Sequence, residues 1–456
     1  MAGLWRMDRS KKCWARFNCM GGNSVRFGYS KAEYKCFYRN AWRYLALFSV
    51  LYCFLYCTRL NLSNAGAVMM KGLGWSKADI GILTGAMFWA YGVGQFVNGR
   101  LSEIVGPAFF VVASVILSIV ANLAMPFQSS LVAMAIIWGM NGYFQSMAWT
   151  PGVAILTRWW PGSTRGFATG FAHAFSGFGQ VAAILSVALG FAIAPSFGWK
   201  SAFLVPAVFP ALALIAYLMW ACTEPSKIGL AEYVEDSPER VKNEAEMRTL
   251  VAKRGRLYPY RYVLSNGQFL VWVLIAFITG LARYGLVTWV PLYFIDKYNV
   301  SVTSGLLGAV SLPVGMGIGT FVVPWLTDKW CPDNRLPAVI SSALVGAVSI
   351  GAFLFIDPTH GWQMACAQLL LFIAGFCIYA INGTAWAYAT DIGGRVFPAT
   401  SSGVLNFAAY MGAASQSFVY GVLLDKIGWY SVFSSLAFLC AVLAVLGVTG
   451  RETKNR

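Results

Sequence analysis

Apolar segments long enough to cross a lipid bilayer recur along almost the whole chain, and they constrain its fold more than any other feature. A transmembrane helix needs about 20 predominantly apolar residues. Only 11% of the 456 residues are charged, whereas soluble domains carry about 25%. The sequence therefore predicts an all-α membrane protein with twelve transmembrane helices. We place the spans at 42–65, 78–102, 107–127, 130–157, 164–194, 200–222, 268–296, 302–327, 336–356, 362–390, 396–424 and 428–449.

Basic residues are concentrated in the segments that flank these spans. The net charge is +16, and the Lys and Arg residues cluster in the N-terminal segment and between Lys227 and Arg261. The positive-inside rule assigns such segments to the cytoplasm. We therefore expect a multi-pass protein of the inner (plasma) membrane of a bacterium, with both termini cytoplasmic. This distribution indicates a lipid bilayer as the surroundings of the protein and excludes nucleic acid as a partner.

One long polar stretch, 223–266, divides the spans six plus six. We predict a basic cytoplasmic N-terminal segment (1–41), a first six-helix bundle (42–222), a cytoplasmic linker (223–266), a second bundle (267–449) and a cytoplasmic tail (450–456). The halves resemble each other, because Arg59 and Arg283 are separated by nearly the same number of residues as GRLSE at 99–103 and PWLTD at 324–328. Two pseudo-symmetric bundles with a substrate site between them near the midplane are a transporter architecture.

Two arginines, Arg59 and Arg283, lie inside apolar spans. A charge at bilayer depth costs about 2.5–3.5 kcal/mol even on lenient insertion scales. The acidic residues closest to the spans all fall at or beyond span ends: Glu103, Asp296, Asp328 and Asp391. Without a fixed counter-ion, the two guanidinium groups are expected to face a polar cavity and bind a small anionic solute, because arginine's planar fork suits phosphate or carboxylate. The alternative is snorkelling or pairing with helix-end carbonyls.

Polar side chains also recur at helical spacing. Tyr52, Tyr56, Arg59 and Ser63 share one face of the first span. Similar stripes favour a set of further substrate-binding residues, although hydrogen bonding between helices explains each of them equally well. That set comprises Gln95, Gln145, Trp149, Tyr284, Asn382, Asn406 and Tyr410.

His173, in GFAHAFSGFG, is a further binding candidate, with a structural histidine as the alternative. No acid at mid-depth offers a proton relay, which favours exchange of anions over proton symport. Glu103 and Asp328 lie at span ends, where they are candidates for gating contacts with basic loops. The sequence has no CxxC pair, metal-ligand cluster or nucleophile–base constellation, so we expect neither an enzyme nor a cofactor nor a metal. We expect a monomer.

GRLSEIVG and PWLTDKW resemble the loop motif of the major facilitator superfamily, with Glu103 in place of the usual aspartate. Within it, the chain resembles the organophosphate:phosphate antiporters, which include glycerol-3-phosphate and hexose-phosphate transporters. The likeness lies in YCFLYCTRLNLSNAG (52–66), NGYFQSMAWTPGVAILTRWWPGSTRG (141–166), TEPSKIGLAEY (223–233) and RYGLVTWVPLYF (283–294). It implies that Arg59 and Arg283 bind phosphate from either half, with Tyr56 beside the first, and that an organic phosphate exchanges for inorganic phosphate by rocker-switch alternating access.

The chain departs from that family in the predicted pocket. Gln95 stands where many members have a lysine, AWTP at 148–151 replaces GWPP, and Ala172 and Ser176 replace family residues near His173. Three functions therefore stay open. The first is an exchanger of organic phosphate for inorganic phosphate; the second is a proton- or sodium-coupled carboxylate (sugar acid) symporter; the third is a transporter-like sensor of sugar phosphate.

Overall fold

The structure, a computed structural model, describes residues 29–160, 162–231, 238–255, 257–298, 301–330, 334–357, 361–393 and 398–449; some side chains inside its helices are also left out. The predicted tail 450–456 and most of the predicted N-terminal segment lie outside these residues. The described chain is helical and has no strand. Its α-helices are α1 Lys31–Leu55, α2 Asn61–Leu73, α3 Lys77–Val105, α4 Pro107–Ala124, α5 Leu131–Trp159, α6 Gly162–Ile193, α7 Ser201–Leu204, α8 Val208–Trp220, α9 Pro238–Arg254, α10 Tyr258–Leu264, α11 Gly267–Tyr298, α12 Val302–Gly308, α13 Ser311–Trp330, α14 Leu336–Phe353, α15 Gly361–Gly393, α16 Pro398–Lys426 and α17 Trp429–Thr449.

Eleven segments in the described chain are long and apolar enough to cross a bilayer. The predicted fourth span is not among them, although α5 has 29 residues and packs against α3 and α4. Its middle carries the buried polar residues Asn141, Gln145 and Ser146, which lower its hydropathy. With α5 included, the helices correspond to the twelve predicted spans.

The first span is longer than predicted, and it is kinked. It begins at Lys31, eleven positions before the predicted start at residue 42, because Ser30 and Glu33 form a capping box. A 3₁₀ turn at Tyr56–Thr58 separates α1 from α2. The second piece ends at Gly74, whose φ of 70° is a left-handed conformation that glycine adopts without strain. The single helical face predicted for Tyr52 to Ser63 is therefore interrupted.

The two halves pack their helices in the same way. In the first half α3 packs on α5, and α1 with its 3₁₀ turn packs on α6; the corresponding helices of the second half, α13 with α15 and α11 with α16, pack likewise. The main contacts between the halves are α3 with α16 and α6 with α13, which also correspond to each other. This arrangement follows the two-fold pseudo-symmetry expected of duplicated bundles.

Glycines permit close contact where the halves meet. The Cα of Gly177 on α6 lies against Gly317 on α13, and a Cβ at Gly177 would collide with that backbone. A Cβ at Gly81 on α3 would likewise collide with the carbonyl of Ser417 on α16. Small residues of this kind allow two membrane helices to approach at backbone distance.

Polar contacts join the halves at the end of the bundle away from the linker helices α9 and α10, which we call the distal end. Lys77 Nζ lies 2.9 Å from Asp296 Oδ2, and Trp429 Nε1 donates to the same oxygen at 2.8 Å. Asp425 accepts hydrogen bonds from the backbone N–H groups of Lys77 and Ala78 at the start of α3. The distal end is therefore closed.

Candidate binding site

Arg59 lies at the kink of the first span and is enclosed by tyrosines. Its side chain is 1% exposed. The guanidinium carbon is 4.3 Å from the ring centroid of Tyr56, 4.8 Å from that of Tyr91 and 5.5 Å from that of Tyr52. Such contacts stabilise a desolvated cation by up to about 2 kcal/mol each. They compensate the burial of Arg59 without neutralising its charge.

The guanidinium of Arg59 is hydrogen-bonded within the described chain at Nε but not at its two terminal nitrogens. Nε donates to Oε1 of Gln145 at 2.7 Å, and the terminal nitrogens Nη1 and Nη2 have no partner among the described residues. Two buried N–H-bearing atoms without an acceptor are costly. The pair forms the fork that binds a phosphate or carboxylate in a bidentate manner.

Arg283 lies in the middle of α11 and belongs to the other half. It is 6% exposed, and its guanidinium carbon is 4.5 Å from the ring centroid of Tyr284 and 4.3 Å from that of Tyr379 on α15. Its Nε has no partner among the described residues. Each half thus contributes one buried arginine that is held by aromatic rings and has open donors.

Aromatic side chains connect the two arginine sites across the interface between the halves. Tyr284 donates its hydroxyl to Tyr410 at 2.9 Å, and the ring of Tyr410 stacks on Tyr91 at 4.1 Å between centroids. Tyr91 in turn lies under the guanidinium of Arg59, with 4.8 Å between its ring centroid and the guanidinium carbon. The tyrosines therefore form one continuous cluster that contains both arginines.

His173 lies on the linker side of this cluster, between the halves. Its ring is 5.2 Å from Trp149, 6.4 Å from Tyr379 and 6.2 Å from Trp386 by centroid distance. Trp149 in turn is 4.8 Å from Tyr52. Nε2 of His173 has no partner in the described chain. Two tryptophans and a histidine thus form an aromatic wall beside the arginines.

The space next to the arginines is small. A cavity of only about 10 Å³ lies between the halves, and its lining includes Leu60, Asn64 and Val287, which follow Arg59 and Arg283 along their helices. The halves are therefore close together around the site, and entry of a solute requires them to separate.

The other predicted residues have different surroundings. Gln95 is bound to α5 at both ends of its amide: Nε2 donates to the Ser146 carbonyl at 3.3 Å, and Oε1 accepts from Thr150 at 3.0 Å. Asn382 and Asn406 are buried, and Nδ2 of Asn382 has no described partner. Glu103 and Asp328 belong to α3 and α13, but their side chains lie outside the described residues. The predicted gating role of these two acids stays a prediction.

Sequence reasoning missed two groups of polar residues. Gln180 on α6 donates to the hydroxyl of Tyr379 on α15 at 2.8 Å and so links the halves beside Arg283. Ser118 and Asn122 on α4 are hydrogen-bonded to Thr58, the residue before Arg59 in the kink. Ser114, Ser118 and Asn122 recur every four residues in a very apolar span, so this stripe was readable from spacing.

The fold and the site define a helical membrane transporter with a basic, aromatic site between two six-helix halves. The chain belongs to the Major Facilitator Superfamily, whose sequence profile matches residues 48–417. This membership places it among transporters and not among enzymes, and it confirms the predicted superfamily and fold.

Several characterised or named proteins are similar over nearly the whole chain. The protein named "Probable hexose phosphate transport protein" of Chlamydia pneumoniae is 28% identical, covering 89% of this chain and 90% of that one. The glycerol-3-phosphate transporter of Bacillus subtilis is 26% identical (89% and 91%). The membrane sensor protein UhpC of Salmonella typhimurium is 25% identical (87% and 88%). Together with the superfamily match, these names agree with the predicted resemblance to organophosphate:phosphate antiporters.

A solved structure confirms the architecture. The bacterial homologue of the human lysosomal transporter Spinster, in an inward-facing and occupied conformation, superimposes with a TM-score of 0.68 over 91% of this chain and 97% of that one. At 17% identity this likeness shows the fold alone.

Proposed function

We propose that the protein transports a small organic phosphate, of the sugar phosphate or glycerol phosphate type, across the membrane. The observation that carries this proposal is the pair Arg59 and Arg283, buried on opposite halves, with guanidinium donors that have no partner in the described chain. Two guanidinium groups match the charge of a phosphate dianion and supply several charge-assisted hydrogen bonds. Relatives that are named as hexose phosphate and glycerol-3-phosphate transporters support the same substrate class.

The proposed mechanism is exchange of the organic phosphate for inorganic phosphate by rocker-switch alternating access. When the site is empty, two like charges face each other across the interface between the halves, and their repulsion disfavours the closed state through which the halves must pass. A bound anion attracts both and lowers that barrier. The empty protein then changes slowly between its inward-open and outward-open states, so each inward transfer of an anion is coupled to an outward transfer of another.

Exchange in reconstituted vesicles tests the proposal. We expect labelled phosphate to enter vesicles loaded with phosphate in the absence of any proton or sodium gradient, and to enter empty vesicles much more slowly. Uptake that requires an ion gradient and ignores internal phosphate would contradict exchange and would favour the carboxylate symporter. A panel of phosphorylated and carboxylated solutes, competing with labelled phosphate, then identifies the organic group.

The proposal includes the inner membrane of a bacterium, cytoplasmic termini and a monomer. The distal end, closed by Lys77 and Asp296, is then the outer end, and the described structure is closed to the outside. Labelling of a cysteine introduced beside Lys77 from the outside of intact cells tests this orientation.

A sensor of sugar phosphate is the second candidate, since a membrane sensor protein is among the relatives and is similar over 87% of this chain. The same arginine pair would serve it, because sensing and transport both begin with binding. Phosphate-dependent thermal stabilisation without measurable exchange, together with co-purification of a kinase, would favour the sensor over the exchanger.

A further inference from the structure

We propose that Thr58, Ser118, Asn122, Asn141 and Gln145, which we call the kink network, are positioning residues: they hold the kink of the first span and thereby aim the guanidinium of Arg59, without binding the anion themselves. The inference deepens the proposed function and rests on it for its transport readout. For Gln145 it replaces the role of substrate ligand that the sequence suggested.

The kink leaves backbone acceptors to be satisfied. In an α-helix the N–H of Arg59 would bond to the carbonyl of Leu55, but here it bonds to Tyr56 at 3.1 Å, as does the N–H of Leu60 at 3.0 Å. The carbonyl of Leu55 is thereby released from that bond. The 3₁₀ turn over Tyr56–Thr58 offers only i→i+3 bonds in exchange, and in a bilayer no water satisfies the backbone groups that it leaves open, so side chains have to complete the hydrogen bonds of the kink.

The kink network supplies such donors from α4, from α5 and from Thr58 in the turn itself. The amide of Gln145 donates to the Leu55 carbonyl at 3.3 Å, as does the Thr58 hydroxyl at 3.1 Å. The carbonyl of Thr58 accepts from Asn141 at 2.8 Å and from Asn122 at 3.1 Å. These bonds all end at the kink, and Oδ1 of Asn122 also accepts from Asn61 at the start of α2 at 2.8 Å.

Side-chain bonds among the members fix the orientation of Gln145. Its Nε2 is within hydrogen-bond distance of the hydroxyls of Ser118 (2.9 Å) and Thr58 (3.2 Å), and Ser118 in turn donates to Oδ1 of Asn141 at 2.7 Å. All five members are fully buried. Because Nε2 is turned toward the kink and Ser118, Oε1 has to face the other way, and there it accepts a hydrogen bond from Nε of Arg59 at 2.7 Å.

This geometry assigns Gln145 to positioning. The atom that it presents to the binding site is an acceptor, which would repel a phosphate oxygen. By holding Nε, it leaves Nη1 and Nη2 as the free edge of the fork. The kink fixes the backbone position of Arg59, and Gln145 fixes the orientation of its guanidinium plane. A disturbed network should therefore weaken anion binding even though no contact to the anion is removed.

The test compares matched variants in reconstituted vesicles, with labelled inorganic phosphate as the probe. Thr58→Val and Asn141→Leu each remove part of the network without removing a side-chain contact of Arg59. We expect both to raise the KM for phosphate by about tenfold, the effect of misaligning one charge-assisted hydrogen bond, while the maximal exchange rate changes less. Thr58→Ser, which restores the hydroxyl, should return the KM to that of the parent protein.

Thr84→Val is the matched control. Thr84 is a buried threonine on α3 whose hydroxyl donates to the Ile80 carbonyl of its own helix at 2.9 Å, as Thr58 does at the kink. It should leave the KM unchanged at a similar cost in thermal stability. If Asn141→Leu does not fold, the comparison of Thr58→Val, Thr58→Ser and Thr84→Val decides the question.

A second readout does not depend on transport. In a cryo-electron microscopy structure of Thr58→Val, we expect Nε of Arg59 to be displaced from Oε1 of Gln145 beyond hydrogen-bond distance. An unchanged KM together with an unchanged Arg59 position would overturn the positioning role. Absence of phosphate exchange in the parent protein would instead count against the proposed function, and the Arg59 position would still test the kink network.

Discussion

Replacing Arg283 by lysine separates the geometry of the site from its charge. Lysine keeps the positive charge but presents a single ammonium group in place of the planar fork. If the fork makes two charge-assisted hydrogen bonds to the phosphate, the variant loses one of them, which is worth about 1.5–3 kcal/mol. At about 1.4 kcal/mol per factor of ten, we expect the KM for phosphate to rise about 10- to 150-fold.

The environment of Arg283 adds to this effect. Its guanidinium stacks over Tyr284 and Tyr379, with centroid distances of 4.5 and 4.3 Å. An ammonium group on a flexible stem does not stack on both rings at once, so its position is less well defined. The protein should still fold, because the charge and the aromatic surroundings remain, and its thermal unfolding temperature in detergent should change little.

The assay is exchange of labelled phosphate in vesicles loaded with phosphate, measured as a function of external concentration. Arg254→Lys is the control, since Arg254 also lies over a tyrosine, Tyr258 at 5.2 Å, but is exposed at the end of α9. That variant should keep the parent KM. An Arg283→Lys protein with the parent KM would show that the fork does not bind the anion, and the argument for a phosphate site between the halves would fail.

Three further changes follow from the described contacts. Arg59→Lys should raise the KM more than Arg283→Lys does, because it also loses the bond from Nε to Gln145, and equal effects in the same exchange assay would contradict this. Asp296→Asn weakens the distal contact with Lys77, and exposed pairs of this kind contribute about 0.2–1 kcal/mol. Spin-label distances between the distal ends of α3 and α16 should therefore show a population of separated halves that is about 1.5- to 5-fold larger. An unchanged distance distribution would mean that the pair does not hold the distal end closed. Gln95→Leu should lower the free energy of unfolding by about 1 kcal/mol and leave the KM unchanged, because its amide is bonded to α5 at both ends, and a raised KM would restore it as a ligand.

The helical fold was predictable because lipid imposes strict limits on the chain. Every spanning segment must satisfy its own backbone, so apolar segments of sufficient length identify helices. The less apolar α5 was still found, since its polar residues interrupt an otherwise continuous apolar stretch. The two arginines were predictable for a related reason: a buried charge without a carboxylate at the same depth has few explanations, and a ligand is one of them.

The kink of the first span was not predictable from YCFLYCTRLNLS. Sharp bends usually occur at proline, at glycine or where a side chain inserts into the hydrogen-bond ladder, and this stretch has neither proline nor glycine. The side chains that stabilise the bend are on other helices, α4 and α5, and they donate hydrogen bonds to the backbone carbonyls of the kink. A bend of this kind can be predicted only when the residues that pack against it are known, and the local sequence does not identify them.

Three buried glutamines of the first half show why spacing predicts a face but not a role. Gln95, Gln145 and Gln180 all lie on the polar side of an apolar span, and all are buried. Gln95 links α3 to α5 within a half, Gln145 orients Arg59, and Gln180 bonds to Tyr379 across the halves. An amide carries donors and an acceptor, so it satisfies almost any polar neighbour, and its role is set by whichever group the tertiary packing brings to it. A guanidinium offers donors only. Where packing brings it no acceptor, the missing partner must come from outside the chain.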